Sequence, residues 1–335
     1  MTYQINILLL FIFQVFFNII FLFKLKNISK IINIFDIPNQ RKKHLYPVPL
    51  LGGIIIFYNI IILFSISYLL KIELEIFNKF SFLFGYISFF FLGLYDDKYQ
   101  IKASIKLLLS IIILIPILLY DPTFKIDSLR LSFYTGEIIL GNYDIFITIL
   151  FILLFINAFN MFDGINCQNG IYSLILIIFL ISLSKNNIFL YGLLFSIVVF
   201  NIYNFRNKFF LGDSGSLSLG FLFSYFYIMN YNNNLIIYSD AIYLIMYLPG
   251  IELMRLYIFR VLNKKSPFKP DRNHLHHYFL ESHGYNKTII TISCLIALPV
   301  ISSFYFDNKI LLINIVFLLL YLYFIFFKFR NNFKI

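Results

Sequence analysis

Long apolar runs separated by short polar segments recur from one end of the chain to the other, without the strict alternation of half-buried strands. A bilayer core about 30 Å thick takes roughly 20 apolar residues per helical span. By that measure the pattern predicts about eleven transmembrane helices, near 4–23, 50–70, 77–94, 103–120, 144–160, 170–184, 188–203, 215–231, 236–258, 288–306 and 309–327. The expected fold class is therefore all-α, a polytopic integral membrane helical bundle forming one domain over residues 1–335. The run from Ile5 to Phe23 lacks a basic segment before it and a small-residue cleavage site after it, so it reads as a retained span. Between Asp121 and Tyr143 the alternation through Leu129, Leu131 and Phe133, then Ile138 to Leu140, around Thr135-Gly136, predicts a small external β-hairpin.

Composition sharpens this picture. The 335 residues are 60% hydrophobic and 13% charged, with 44 Phe and 25 Tyr, more apolar surface than a water-soluble core absorbs. The net charge of +11 sits in short loops between apolar spans, where membrane orientation and anionic lipid headgroups account for it better than nucleic acid does. Most of the 27 Lys and Arg fall on one side when the N-terminus is outside and the C-terminus inside, so that orientation is expected. Two cysteines, Cys167 and Cys294, show no CxxC spacing, which argues against a disulfide framework or a cysteine-rich metal site. No repeat of fixed period and no inverted duplication is visible, which weakens the case for a transporter built from paired halves.

On this topology five polar clusters fall on the inner side. Asp36-Ile-Pro-Asn39-Gln-Arg41-Lys42-Lys43-His44, with Pro47, Pro49 and Gly52-Gly53 after it, is a basic loop suited to anionic groups, and equally an ordinary positive-inside loop. Tyr95-Asp96-Asp97-Lys98 places two adjacent carboxylates at the membrane surface, where they repel one another unless a cation or proton intervenes. Asn157, Asn160 and Asp163-Gly164 close the fifth span, and spacings of three put the polar groups along one helix face, an expensive arrangement at membrane depth. Phe210-Leu-Gly212-Asp213-Ser214-Gly215-Ser216 offers backbone to a phosphate and a carboxylate to a metal, and reads also as a helix cap. Asp271-Arg272-Asn-His274-Leu-His276-His277 packs three of the five histidines together beside cations, which favours phosphate recognition over zinc. No GxxxxGK[ST] loop, HExxH pair or GxSxG elbow is present. Carboxylates, amides and cations are the parts that Mg²⁺-assisted phosphoryl transfer uses.

In this order the five segments resemble the polyprenyl-phosphate N-acetylhexosamine-1-phosphate transferases of glycosyltransferase family 4, which begin bacterial O-antigen, teichoic-acid and peptidoglycan lipid carriers. The resemblance spans roughly residues 36 to 284 and rests on Asp96-Asp97, Asn157/Asn160/Asp163-Gly164, Gly212-Asp213-Ser214-Gly215-Ser216 and His274-Leu-His276-His277 occurring together. It implies attack of undecaprenyl or a related polyprenyl phosphate on the sugar-proximal phosphate of a UDP-N-acetylhexosamine, giving polyprenyl-diphospho-sugar and UMP. Mg²⁺ is the implied cofactor, with Mn²⁺ as a substitute. The implied catalytic residues are Asp96, Asp97, Asp163 and Asp213, and the implied metal ligands Asp213, Asn160 and Asp163. Substrate binding falls to Arg41, Lys43 and His44, to Asn157 and Asn160, to Gly212, Ser214 and Ser216, and to Asp271, Arg272, His274, His276 and His277. The histidine motif, preceded by Asp271-Arg272, is closer to the N-acetylglucosamine-type members than to the muramoyl-pentapeptide branch. The family implies a bacterial inner membrane with the site on its cytoplasmic face; partners are the nucleotide sugar, the lipid phosphate and membrane lipids, not nucleic acid, and a homodimer is left open.

Three departures from the family pattern stand out: Asn166-Cys167 where Asp-Gly is common, Gln168 in place of an apolar residue, and Pro249-Gly-Ile-Glu252 in place of Pro-x-x-Asp. A lipid-linked sugar flippase is the main rival reading, but it calls for polar residues through the membrane midplane rather than acids and histidines on one face. A scaffold whose motifs are only loop caps requires five coincidences on one leaflet.

Overall fold

The computed structural model describes residues 2–38, 45–72, 74, 76, 79–184, 187–267, 271–306 and 309–328. The chain forms two compact units, one of residues 1–120 and 173–222, the other of 121–172 and 223–335.

The first unit opens with α1 (Thr2–Phe23) and α2 (Leu25–Ile32), which meet at a 67° bend. It continues through α3 (Gly52–Leu69), α4 (Phe80–Tyr99) and α5 (Ala103–Tyr120), and includes α8 (Ile188–Phe205). A two-residue ladder pairs β1 (Phe35–Asp36) with β2 (Val48–Pro49), antiparallel, and leads into α3. The helices are apolar nearly all round, so hydrophobicity alone gives them little register inside lipid. A buried polar knot supplies it: the Gln14 amide donates to Asn59 Oδ1 (3.1 Å), the Gly192 carbonyl (3.0 Å) and Ser196 (3.1 Å), and Asn18 and Asn59 exchange amide bonds of 2.6 and 3.0 Å. Asn59→Leu strips partners from Gln14 and Asn18 together. It is expected to destabilise the protein by about 1–3 kcal/mol, the cost of orphaned buried amides, read as a lower unfolding midpoint in detergent; an unchanged midpoint would show that the knot does not hold α1, α3 and α8 in register.

In the second unit β3 (Ser128–Arg130) pairs antiparallel with β4 (Glu137–Ile139), Leu129 opposite Ile138, which is the hairpin the alternation predicts. Its strands are pinned to the end of α9 (Gly212–Asn232): Tyr231 accepts the Arg130 amide at 2.8 Å and donates to the Ser128 carbonyl at 3.0 Å. The remaining elements are α6 (Asp144–Met161), α10 (Ser239–Ile245), α11 (Tyr247–Leu262), α12 (Leu275–Tyr305) and α13 (Ile310–Tyr323). The boundaries between the units fall inside α7 (Gln168–Leu183) and α9.

Among the described residues each expected apolar stretch is mainly helical, but the expectation of about eleven spans is corrected. Among the described residues five helices are long and apolar enough to cross a membrane, or up to seven if each bent pair counts as one span. Helix α7 and the last apolar helix are too short. Helix α4 ends in Asp96-Asp97-Lys98 and α9 carries Asp213 and a series of serines, so both are more polar than their apolar residues suggest. The stretch 236–258 is broken between α10 and α11 by an 83° bend. Helix α12 leaves helical geometry at Gly284 (φ +74°, ψ 173°), so the segment carrying the histidines is separate from the apolar span after it. The fold is that of a multi-pass helical membrane protein, with two small β-ladders among the described residues.

Candidate active site

In the first unit the acidic residues gather around the N-terminus of α9. Glycines make this approach feasible: a Cβ on Gly53 would lie 2.3 Å from the Gly215 amide nitrogen, and one on Gly93 2.3 Å from the Asp213 carbonyl oxygen. The backbone reinforces it, with the Gly52 and Gly53 amides donating to the Phe210 and Leu211 carbonyls at 2.8 and 2.9 Å. Gly212 turns through φ +73°, a conformation glycine adopts without strain, and leaves room for the Asp97 carboxylate against it.

Asp97 accepts the amides of Asp213 (2.7 Å) and Ser214 (3.0 Å), one on each oxygen. It thus caps α9 from another helix, an anion at the positive end of the helix dipole. Lys106, one turn into α5, donates to Asp213 Oδ2 at 2.7 Å and also pairs with Asp96, while Asp96 Oδ1 accepts the Ile101 amide at 2.8 Å. Burial, then the hydrogen bond and charge of Asp213, push the Asp96 carboxyl up to about 7 against the pull of Lys106. Burial followed by the Asp213 charge raises Asp97 to about 7 as well, against its two amides. Three carboxyl groups therefore gather where one ammonium pairs with only two of them, and the surplus negative charge favours a proton or a further cation.

That surplus and the all-oxygen donor set fit Mg²⁺. Among the described residues no three His, Cys, Asp or Glu side chains surround one point, so the fit is to an ion completed by water and phosphate oxygens, the usual Mg²⁺ arrangement, rather than to an all-protein cage.

In the second unit α6 delivers Asn157 and Asn160 half-buried, Asn157 donating to its own Leu153 carbonyl at 2.7 Å. The expectation that Asp163 shares their helix face is corrected: α6 stops at Met161 with Phe162 as its C-cap, and Asp163 stands exposed in the loop beyond. That loop returns through Cys167 (φ +62°) into α7, where Asn169 ties back to the Phe159 carbonyl at 3.1 Å.

The histidine motif meets this loop. His276, 3% exposed, lies so close to Gly164 that a Cβ there would fall 2.0 Å from its Nε2. Its Nδ1 faces the Gln168 amide at 3.4 Å, and its buried Nε2 has no hydrogen-bond partner. The three imidazoles cluster, with ring centroids 5.0 Å apart for His274 and His276 and 4.3 Å for His276 and His277. Burial first, with the charges of Arg260 and Arg255, depresses His274 despite Glu252 and Asp271, so it is a neutral hydrogen-bonding group. Asp271 is turned onto protein: Arg260 Nε reaches its Oδ2 and the Asn273 amide its Oδ1, both at 2.9 Å. Burial opposes ionisation there, and the hydrogen bonds from Arg260 and Asn273 together with the Arg260 charge outweigh it, holding Asp271 below the usual carboxylate range. Arg272 pairs at 3.6 Å with Glu281.

The first unit thus brings together Asp96, Asp97, Gly212, Asp213, Ser214 and Ser216, and the second brings the Asp163-Gly164 loop to His276. Arg41, Lys43 and His44 lie outside the described residues. Sequence reading passed over Lys106 as one more inner-side cation. Its signal was position, a lone charge within the apolar run Ala103–Tyr120.

The family model for glycosyl transferase family 4 matches residues 79–231, which include the whole acidic cluster. The chain is 27% identical over 280 residues, 79% of its length and 74% of the relative's, to the undecaprenyl-phosphate alpha-N-acetylglucosaminyl 1-phosphate transferase of Salmonella typhi. It is equally similar, 27% over 278 residues with the same coverage, to the protein of that name from Escherichia coli K12. With the probable undecaprenyl-phosphate N-acetylglucosaminyl 1-phosphate transferase of Bacillus subtilis it shares 29% identity over 262 residues, 75% of this chain and 71% of that one.

Proposed function

We propose that this chain, matched over residues 79–231 by the family model for glycosyl transferase family 4 and similar over three quarters of its length to undecaprenyl-phosphate N-acetylglucosaminyl 1-phosphate transferases, is a membrane transferase moving N-acetylhexosamine 1-phosphate from a UDP-sugar to a polyprenyl phosphate such as undecaprenyl phosphate, at the cytoplasmic face of a bacterial inner membrane. The observation that carries the reading is the cluster of Asp96, Asp97 and Asp213 with Lys106 at the start of α9, where the surplus of carboxylates suits a cation that would neutralise phosphate charge.

In the proposed reaction an oxygen of the lipid phosphate attacks the sugar-proximal phosphorus, a new P–O bond forms, and the bond to UMP breaks. Mg²⁺, or Mn²⁺ in its place, would be held by Asp213 and would supply charge neutralisation on the diphosphate. Asp96, with its carboxyl near 7, is matched to taking a proton from the acceptor phosphate monoester, whose own second pKa is about 6. Asp97 holds the Gly212–Ser216 turn in place through two amides. Lys106 keeps Asp96 and Asp213 converged and offsets part of their repulsion. In the second unit Asn157, Asn160, Asp163 and the three histidines are assigned to the nucleotide sugar, the imidazoles donating hydrogen bonds to its phosphate oxygens.

The lipid product decides between this and simple sugar transfer. Mass spectrometry of the lipid after reaction should find the acceptor increased by an N-acetylhexosamine and one phosphate. An increase by the sugar alone, with UDP as co-product, would overturn the proposal.

A further inference from the structure

Helix α11 is hydrogen-bonded to the histidine motif and carries a charge network that the proposed chemistry does not use. Glu252 is 2% exposed, in a helix pair otherwise apolar enough to span a membrane. Arg255 donates to its carboxylate through Nε and Nη2, both at 3.1 Å. Tyr321 of α13 donates its hydroxyl to Glu252 Oε1 and accepts from Arg255 Nε at 2.7 Å.

The network reaches the motif at two backbone points that flank His274. Glu252 Oε2 accepts the Leu275 amide at 3.1 Å, the first amide of α12, whose N-cap residue His274 makes no side-chain cap of its own. Arg255 Nη2 donates to the Asn273 carbonyl at 2.5 Å. One turn further along α11, Arg260 holds Asp271 and the Pro267 carbonyl, the latter at 2.7 Å.

A buried ion pair is a poor source of net stability, because desolvation consumes most of the attraction. Charge at such a depth is retained where it fixes a geometry. We propose that Glu252, Arg255 and Tyr321 are positioning residues: they cap α12 from outside and set the backbone on both sides of His274, so that the three imidazoles are aimed before the nucleotide sugar arrives. The inference rests on the assignment of the histidines to that donor.

The test compares parent, Arg255→Met and Tyr321→Phe proteins in detergent by two readouts. Amide hydrogen exchange over residues 271–280 needs no activity. In Arg255→Met it should rise about tenfold or more, the equivalent of one lost hydrogen bond to a charged group, with the acidic cluster of the first unit unchanged; Tyr321→Phe should move it the same way by less. The steady-state readout is a KM for the UDP-sugar raised about tenfold, with KM for undecaprenyl phosphate held. Exchange in 271–280 equal to the parent in both variants would overturn the positioning role, as would kcat falling with both KM values fixed in step with a lower unfolding midpoint, which marks a purely structural residue. An inactive parent with the expected exchange pattern would sink the donor assignment and leave the positioning intact.

Discussion

Asp213→Asn is expected to lower turnover by more than about a hundredfold while leaving the fold in place, because a carboxylate that serves the metal is replaced by a weak neutral donor of the same shape. The backbone argument makes the fold prediction specific. Asp97 grips the amides of Asp213 and Ser214, not the Asp213 side chain, so the cap of α9 survives the substitution. Lys106 loses one of its two anions and keeps Asp96. Purified variant and parent should therefore share an unfolding midpoint and differ in Mg²⁺-dependent rate. A near-normal rate would remove Asp213 from the metal and return the Gly212–Ser216 turn to an ordinary helix cap.

Gly164→Ala is expected to be almost as damaging from the other unit. A methyl group there would come 2.0 Å from His276 Nε2, well inside contact distance, and Gly164 lies in a loop already committed by the left-handed Cys167 and by the Tyr285 hydroxyl on the Asn166 carbonyl. The ring must swing away, parting from Gln168, and a misplacement of about 1 Å in a binding group costs about a hundredfold in rate. Steady-state kinetics on Gly164→Ala should show the loss in kcat/KM for the nucleotide sugar. Unchanged kinetics would mean that the position of His276 is immaterial to the reaction.

What the sequence made legible was polarity out of place. Asp96-Asp97, Gly212-Asp213-Ser214 and the three histidines stand out because each is costly next to lipid, and the structure joins the first two through hydrogen bonds 116 and 117 residues apart. The division of labour within the acidic pair was not legible. Adjacent residues on a helix point about 100° apart, so Asp97 reaches the α9 amides while Asp96 meets Lys106, and only the packing of α4, α5 and α9 decides which does which. Glu252 was visible as a departure from the family pattern, but its bond to Tyr321, 69 residues away, is set by how the two segments pack and not by any local spacing. The span count failed for a related reason. Hydropathy sums a stretch as if it were one rod, and does not register the bend between Ile245 and Tyr247 or the break at Gly284.

The most direct test of the account is the release of UMP by the purified protein from UDP-N-acetylhexosamines, with and without undecaprenyl phosphate and with and without Mg²⁺. The account predicts release from at least one donor that requires both the lipid phosphate and the ion. Release that proceeds without the lipid, or no release from any donor by verified folded protein, would contradict it.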